Sequence, residues 1–206
     1  MAVQYKNRTG KIFYLREGKT KTGKPYYFFS SKQDGKGKAV EHIPEGYEIY
    51  EHPVNAQIFL RKKRPQLITE GEKQLVTEYA ENLKRSRRYR VDCKDVYITI
   101  YESDTDAANL KNLFNDVMKY APLRPGKSAD DAMRDLLRIT DQHYTAVMRF
   151  CLADMARRKF TAERFCFRGS IDDWIYLGGP DDLETLVKKY MKLIGTDEFF
   201  DSPYLL

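Results

Sequence analysis

The sequence predicts an α+β protein: a small antiparallel β-rich N-terminal module over residues 1–66, then a larger α+β domain with a long central helix over residues 67–206. Three observations predict it. Up to Gln66, aromatic and β-branched residues fall in short runs cut by Gly, Pro, Asn and Lys, the spelling of strands joined by tight loops. At Leu67 the apolar period becomes helical. From Ser128 to about Arg158 an apolar stripe keeps helical spacing longer than anywhere else in the chain.

In the first part, "KIFYL", "PYYFFSS", "KAVEHI", "YEIYE" and "AQIFLRK" are the expected strands. The joints "GKTKTGKP", "KQDGKG", "IPEG" and "HPVN" supply turn residues. In the second part, Thr69 stands three residues before Glu72, the capping-box spelling, ahead of Leu75, Val76, Tyr79, Ala80 and Leu83 at helical spacing. "DVYITIYES" alternates as a strand, with Val96, Ile98 and Ile100 on one face. Asp104 is then expected to cap a helix carrying Leu110, Leu113, Phe114, Val117 and Met118, and "APLRPGKS" to form a loop. The long helix would carry Ala132, Met133, Leu136, Leu137, Thr140, Tyr144, Val147, Met148, Cys151, Leu152 and Met155. "ERFCFRGSIDDWIYL" reads as two short strands about a Gly-Ser turn. A last helix has Pro180 near its first turn and Gly195 at its end.

With 206 residues and 42% hydrophobic content, the chain can bury a core. No apolar run reaches the roughly 18 residues of a membrane span, and "MAVQYKNRTGKIFYL" lacks the apolar block of a secretory signal. The expectation is a cytoplasmic protein without a membrane partner. Three widely spaced cysteines, Cys93, Cys151 and Cys166, suit neither a disulfide framework nor a paired metal motif, and are expected reduced and buried.

The formal charge of +6 is unevenly placed. Through Gln66, 14 Lys and Arg stand against six Asp and Glu; from Leu67 onward, 22 stand against 24. The basic excess therefore belongs to the first third. It is clustered there, in Lys6 to Lys38 and in Arg61-Lys62-Lys63-Arg64.

"GKTKTGKP" fits seven positions of the phosphate-loop pattern and fails at the eighth. Pro25 has neither the hydroxyl that would hold Mg²⁺ nor an N–H, and the strand-forming Tyr26-Tyr27-Phe28-Phe29 follows where a helix is needed. No nucleotide is expected at the Gly18 to Pro25 loop; it reads as a hairpin loop with three lysines. Those lysines flank a strand with Tyr26 and Phe28 on one face and Tyr27 and Phe29 on the other. Cations beside stacking surfaces are what single-strand binders and RNA-binding sheets use. The candidate nucleic-acid-contacting residues are Lys19, Lys21, Lys24, Tyr27, Phe29, Arg61, Lys62, Lys63 and Arg64. The bland alternative is that the aromatic face is covered and the lysines keep an edge strand soluble.

No catalytic residue, metal ligand or cofactor is assigned. Asp104 and Asp106 form an Asp-x-Asp after a strand, which could hold a divalent cation beside a phosphate compound, but the preferred reading is helix capping by Asp104 with Asp106 in the first turn, favoured there by the helix dipole. Asp172-Asp173 and Asp181-Asp182 sit where acids are structurally expected. His143 and Cys151, eight residues apart on a helix, would stand about 12 Å apart, beyond reach of one another. "KRSRRYR" at 84–90 could contact phosphates, and equally suits the end of the first helix, where cations are favoured anyway. Trp174 is read as a core anchor.

At "GKTKTGKPYYFFSSK", "IPEGYEIYE", "AQIFLRK" and "ERFCFRGSIDDWIYLGGPDDLETLVKKYMKLIG" the chain resembles a bacterial family to which no function is assigned; the resemblance would cover most of the chain and implies no activity. The residues themselves point to a non-enzymatic binding protein whose basic N-terminal module contacts nucleic acid or another polyanion. A protein-interaction or scaffold protein is the first alternative, and a metal-dependent enzyme on phosphate compounds, using Asp104 and Asp106, the second.

Overall fold

The computed structural model describes residues 2–83, 88–120, 126, 128–140, 143–168 and 171–199. The basic run at 84–87, most of the loop at 121–127 and the Gly169-Ser170 turn lie outside the described residues. The protein is a mixed α+β structure with antiparallel sheets. It divides into two compact units, residues 1–64 with 114–143, and residues 65–113 with 144–206.

In the first unit, β1 (Gln4–Lys6), β2 (Ile12–Lys19), β3 (Pro25–Ser30) and β4 (Lys38–Ala39) form one sheet. β2 is central. β3 lies along one edge, while β1 and the two-residue β4 share the other in succession. β5 (Tyr47–Glu51) and β6 (Ile58–Lys62) make a separate hairpin. The β1–β2 turn is tied to the β5–β6 loop by polar contacts. Arg8 Nη1 donates to Glu51 Oε1 at 3.0 Å and to the His52 carbonyl at 2.9 Å, and Nη2 donates to the Pro53 carbonyl at 2.7 Å. Asn7 Nδ2 donates to the Ala56 carbonyl at 3.0 Å. A buried guanidinium is costly unless its donors are used, and here a carboxylate and two carbonyls use them.

The second unit begins with α1 (Glu70–Glu81), where the capping box is made: Thr69 Oγ1 accepts from the Glu72 N–H, and Glu72 accepts from the Thr69 N–H. β7 (Tyr89–Lys94) and β8 (Tyr97–Ser103) follow. β7 was not foreseen, because its Tyr89, Val91 and Cys93 alternate behind the arginine-rich run. α2 (Ala107–Tyr120) comes next in the chain and runs past the unit boundary at residue 113, and α3 (Ala129–Thr140) belongs to the first unit; β9 (Tyr144–Asp154), β10 (Lys159–Arg168), β11 (Ile171–Asp182) and α4 (Leu183–Tyr190) then complete the second. The five strands form an antiparallel meander in the order β11-β10-β9-β8-β7.

The long central helix is corrected here: its first part is α3, and its second part is β9, the middle strand of that meander. Tyr144, Met148, Phe150 and Leu152 are buried while residues 145, 147, 149 and 151 are half-buried, a period of two. Val147, Met148, Cys151, Leu152 and Met155 also satisfy helical spacing, so the segment spells both periods. Pairing with β8 on one side and β10 on the other selects the strand.

One face of the meander presents Ile98, Ile100, Met148, Phe150, Ala162 and Leu177 to a core completed by Val76 and Ala80 of α1 and Leu186, Val187 and Tyr190 of α4. The opposite face carries Tyr97, Arg149, Glu163 and Trp174. Trp174 is therefore not a member of that core; it stands edge-on to Phe165 at 5.1 Å.

Candidate nucleic-acid interface

β2 and β3 are joined by Thr20–Lys24, and a strand, not a helix, follows the loop. Thr20 and Lys24 close it: the Thr20 N–H donates to the Lys24 carbonyl at 2.8 Å, and Thr20 Oγ1 accepts from the Lys24 N–H at 3.0 Å. The loop's backbone is spent on itself, not aimed by a helix at a phosphate. Lys19, Lys21 and Lys24 are exposed, as are Lys32, Lys36 and Lys38 in and after the β3–β4 connection. Among the described residues, none of these six side chains has a carboxylate partner.

Register sorts the aromatics. Leu15 stands opposite Phe29 and Glu17 opposite Tyr27, so these share one face; Arg16 stands opposite Phe28 and Gly18 opposite Tyr26 on the other. On the first face Tyr27 meets Tyr47 of β5 edge-on at 5.9 Å. Phe29 lines a cavity of about 380 Å³ with Phe13, Ile58 and Phe59, rimmed by Asn7 and Lys11. Tyr27 and Phe29 thus face the β5–β6 hairpin.

The other face carries the exposed ring. Tyr26 is 47% exposed and stacks on Phe28 with centroids 5.5 Å apart and planes 27° apart. A Cβ on Gly18 would stand 2.6 Å from Tyr26 Cζ and 2.7 Å from its Cε1. Only glycine lets the tyrosine lie flat across β2. Gly37, from the β3–β4 connection, backs the other ring, since a Cβ there would stand 3.2 Å from Phe28 Cζ. Next along β2 lies Arg16, only 7% exposed, in register with Phe28 and with Ala39 of β4. Its Nε is buried with no hydrogen-bond partner among the described residues.

The basic run at Arg61 does not act as a block. Arg61 Nε donates to Glu48 Oε1 at 2.7 Å, and its guanidinium lies 3.8 Å over the Tyr50 ring. Lys62, Lys63 and Arg64 are exposed. The structure brings Lys19, Lys21 and Lys24 together on one hairpin, and places Arg61, Lys62, Lys63 and Arg64 in and after β6. Sequence reasoning missed Arg16, Gly18 and Tyr26. The pairing of Gly18 with Tyr26 is invisible until the hairpin register is known, and nothing local marks Arg16 as buried.

The other candidates have structural partners. Asp106, not Asp104, caps α2: its Oδ1 accepts from the Asn109 N–H at 3.2 Å. Asp104 Oδ1 accepts from Thr145 Oγ1 at 2.8 Å. His143 is exposed just before β9, and Cys151 lies on that strand, so neither belongs to a helix. Cys93, Cys151 and Cys166 are half-buried free thiols; burial above all pushes the Cys93 thiol up to about 12. Among the described residues no three His, Cys, Asp or Glu side chains are grouped as metal ligands, and no helix is long and apolar enough to cross a membrane. Compared with family models, curated proteins and solved structures, the chain gives no match.

Proposed function

We propose that the N-terminal sheet is a binding module for a single-stranded polyanion, DNA or RNA, in a cytoplasmic, non-enzymatic protein. One observation carries this reading: six exposed lysines without carboxylate partners among the described residues lie in and beside a sheet of which one face presents a stacked, half-open Tyr26–Phe28 pair, Lys19 and Lys38 falling on the opposite face by register. Exposed cations beside a π-face supply the two terms single-strand binders use, counterion release and stacking. The competing reading is a protein partner seated on the exposed Ile12 and Tyr26 of the same face.

The test is titration of the full chain with a fluorescent oligothymidylate between about 50 and 200 mM salt, over which affinity should fall steeply. Replacing Lys19, Lys21 and Lys24 together by Gln should flatten the log–log salt slope by about 2, since each single-strand phosphate contact contributes roughly 0.7. Lys24→Ala alone should leave the chain as indifferent to ATP and GTP as before. Failure to bind any single strand at about 50 mM salt sinks the polyanion reading in favour of the protein partner.

A further inference from the structure

We infer that Arg16, Tyr26 and Phe28 form a one-nucleotide subsite, in which a base stacks on the open side of Tyr26 and its phosphate is taken by the Arg16 guanidinium. The inference rests on the single-strand reading above and says where one nucleotide of the strand is gripped. The subsite is on the sheet face and owes nothing to the backbone of the Thr20–Lys24 loop.

Arg16 makes the first half of the argument. An arginine whose residue is over nine-tenths buried is normally compensated, as the Arg8 side chain is by Glu51, His52 and Pro53. Arg16 has a buried Nε without a partner, and its side chain makes no ion pair or hydrogen bond among the described residues. An orphaned, charged donor next to an aromatic stack calls for an anion with acceptor oxygens, and a phosphate matches the guanidinium fork.

The second half is the preparation of Tyr26. The ring lies flat over Gly18, where a Cβ would stand 2.6 Å from Cζ, and Phe28 supports it at 5.5 Å. A ring held flat on one side and 47% exposed offers its outer π-face without an ordering cost on binding. Cross-strand register puts Arg16 beside Phe28 and Gly18 beneath Tyr26, so the cation and the open ring are neighbours along one face. A phosphopeptide would use the cation and leave the prepared ring idle. A nucleotide uses both.

The experiment compares, for the full chain at fixed salt, an oligothymidylate with an abasic deoxyribose-phosphate oligomer of equal length. The expected result is that the native chain prefers the oligothymidylate by about fivefold or more, the low end of base–aromatic stacking. Tyr26→Leu should bring that ratio to about one without altering the salt slope, and Gly18→Ala, which displaces the ring, should do the same. Arg16→Gln should keep the ratio, weaken both oligomers, and lower the salt slope by roughly 0.7. Equal affinity of the native chain for both oligomers, or a ratio unmoved by Tyr26→Leu, overturns the subsite and leaves the polyanion reading standing. Binding of neither oligomer at about 50 mM salt, or of a phosphotyrosine peptide alone, overturns both.

Discussion

In the five-stranded meander Arg149 lies between the rings of Tyr97 and Trp174, 4.2 Å from each centroid, and its Nε donates to Glu163. In the N-terminal sheet Arg16 lies beside Phe28 with Tyr26 stacked beyond, and no carboxylate answers it among the described residues. The ingredients are alike and the completion is not. Arg149 has its two π-faces and an acidic partner supplied from the same sheet, so the group is closed and stabilising. Arg16 lacks the acid, and the nearby ring keeps one face open. A self-satisfied cluster belongs to the fold, whereas an unsatisfied one of the same chemistry points outward, to a ligand. Arg158 follows the closed pattern, donating to Glu72 and to the Leu67 carbonyl.

The largest effect that would sharpen this contrast comes from the meander core. Phe150→Ala should cost about 3–5 kcal/mol in denaturant unfolding. Trp174 is the sole tryptophan and lies in the same sheet, so its fluorescence should report that loss. A change below about 1 kcal/mol would mean the sheet does not rest on this core.

Arg149→Ala should destabilise by about 2 kcal/mol, because it strands the half-buried Glu163 and removes two ring contacts. A neutral result would erase the distinction drawn between the two arginines.

At Glu72, burial opposes ionisation, but the Arg158 bond and the Thr69 N–H and hydroxyl outweigh it and hold the carboxyl below its ordinary value. The stability this contributes is present above the ordinary carboxylate pKa and is lost as pH falls through the lowered folded value. Glu72→Gln should cost about 1 kcal/mol at neutral pH and flatten the acid limb of the stability profile. An unchanged limb would show that the pair is not felt. The Cys93 thiol carries the opposite sign. With its value raised from 9.0 to about 12, its contribution should be intact below 9 and lost at higher pH.

The smallest stability effect, and the most discriminating, is that of Arg16→Leu. Removing an uncompensated buried charge should leave stability unchanged or slightly raised while single-strand affinity falls. A loss above about 2 kcal/mol would place Arg16 with Arg149 as a structural residue. We also propose that the composition break at Leu67 separates folding units. Trypsin should then cut the full chain first after Lys62 or Lys63, the Arg64–Pro65 bond being resistant to it, and uniform resistance over that run would count against a boundary.

Where one local feature decides an element, the sequence determined it. Thr69 and Glu72 spell a capping box whose partners lie within one turn, and Ile98 and Ile100 alternate without a rival period. Lys19 to Lys24 lie between a strand-forming run and Pro25, which could only be a hairpin. The concentration of cations before Gln66 was legible for the same reason, since charge location is a property of the chain. What remained for the tertiary structure were the choices between equal local readings. Residues 144–154 satisfy both periods, and only pairing with β8 and β10 made them a strand. Tyr26 and Tyr27 are equivalent as neighbours in a strand; the β5–β6 hairpin covers the face of one and leaves the other open. Arg16 could not be distinguished from Arg8 in the sequence, because whether a buried charge is answered depends on partners that cross-strand register and long-range contact alone bring to it.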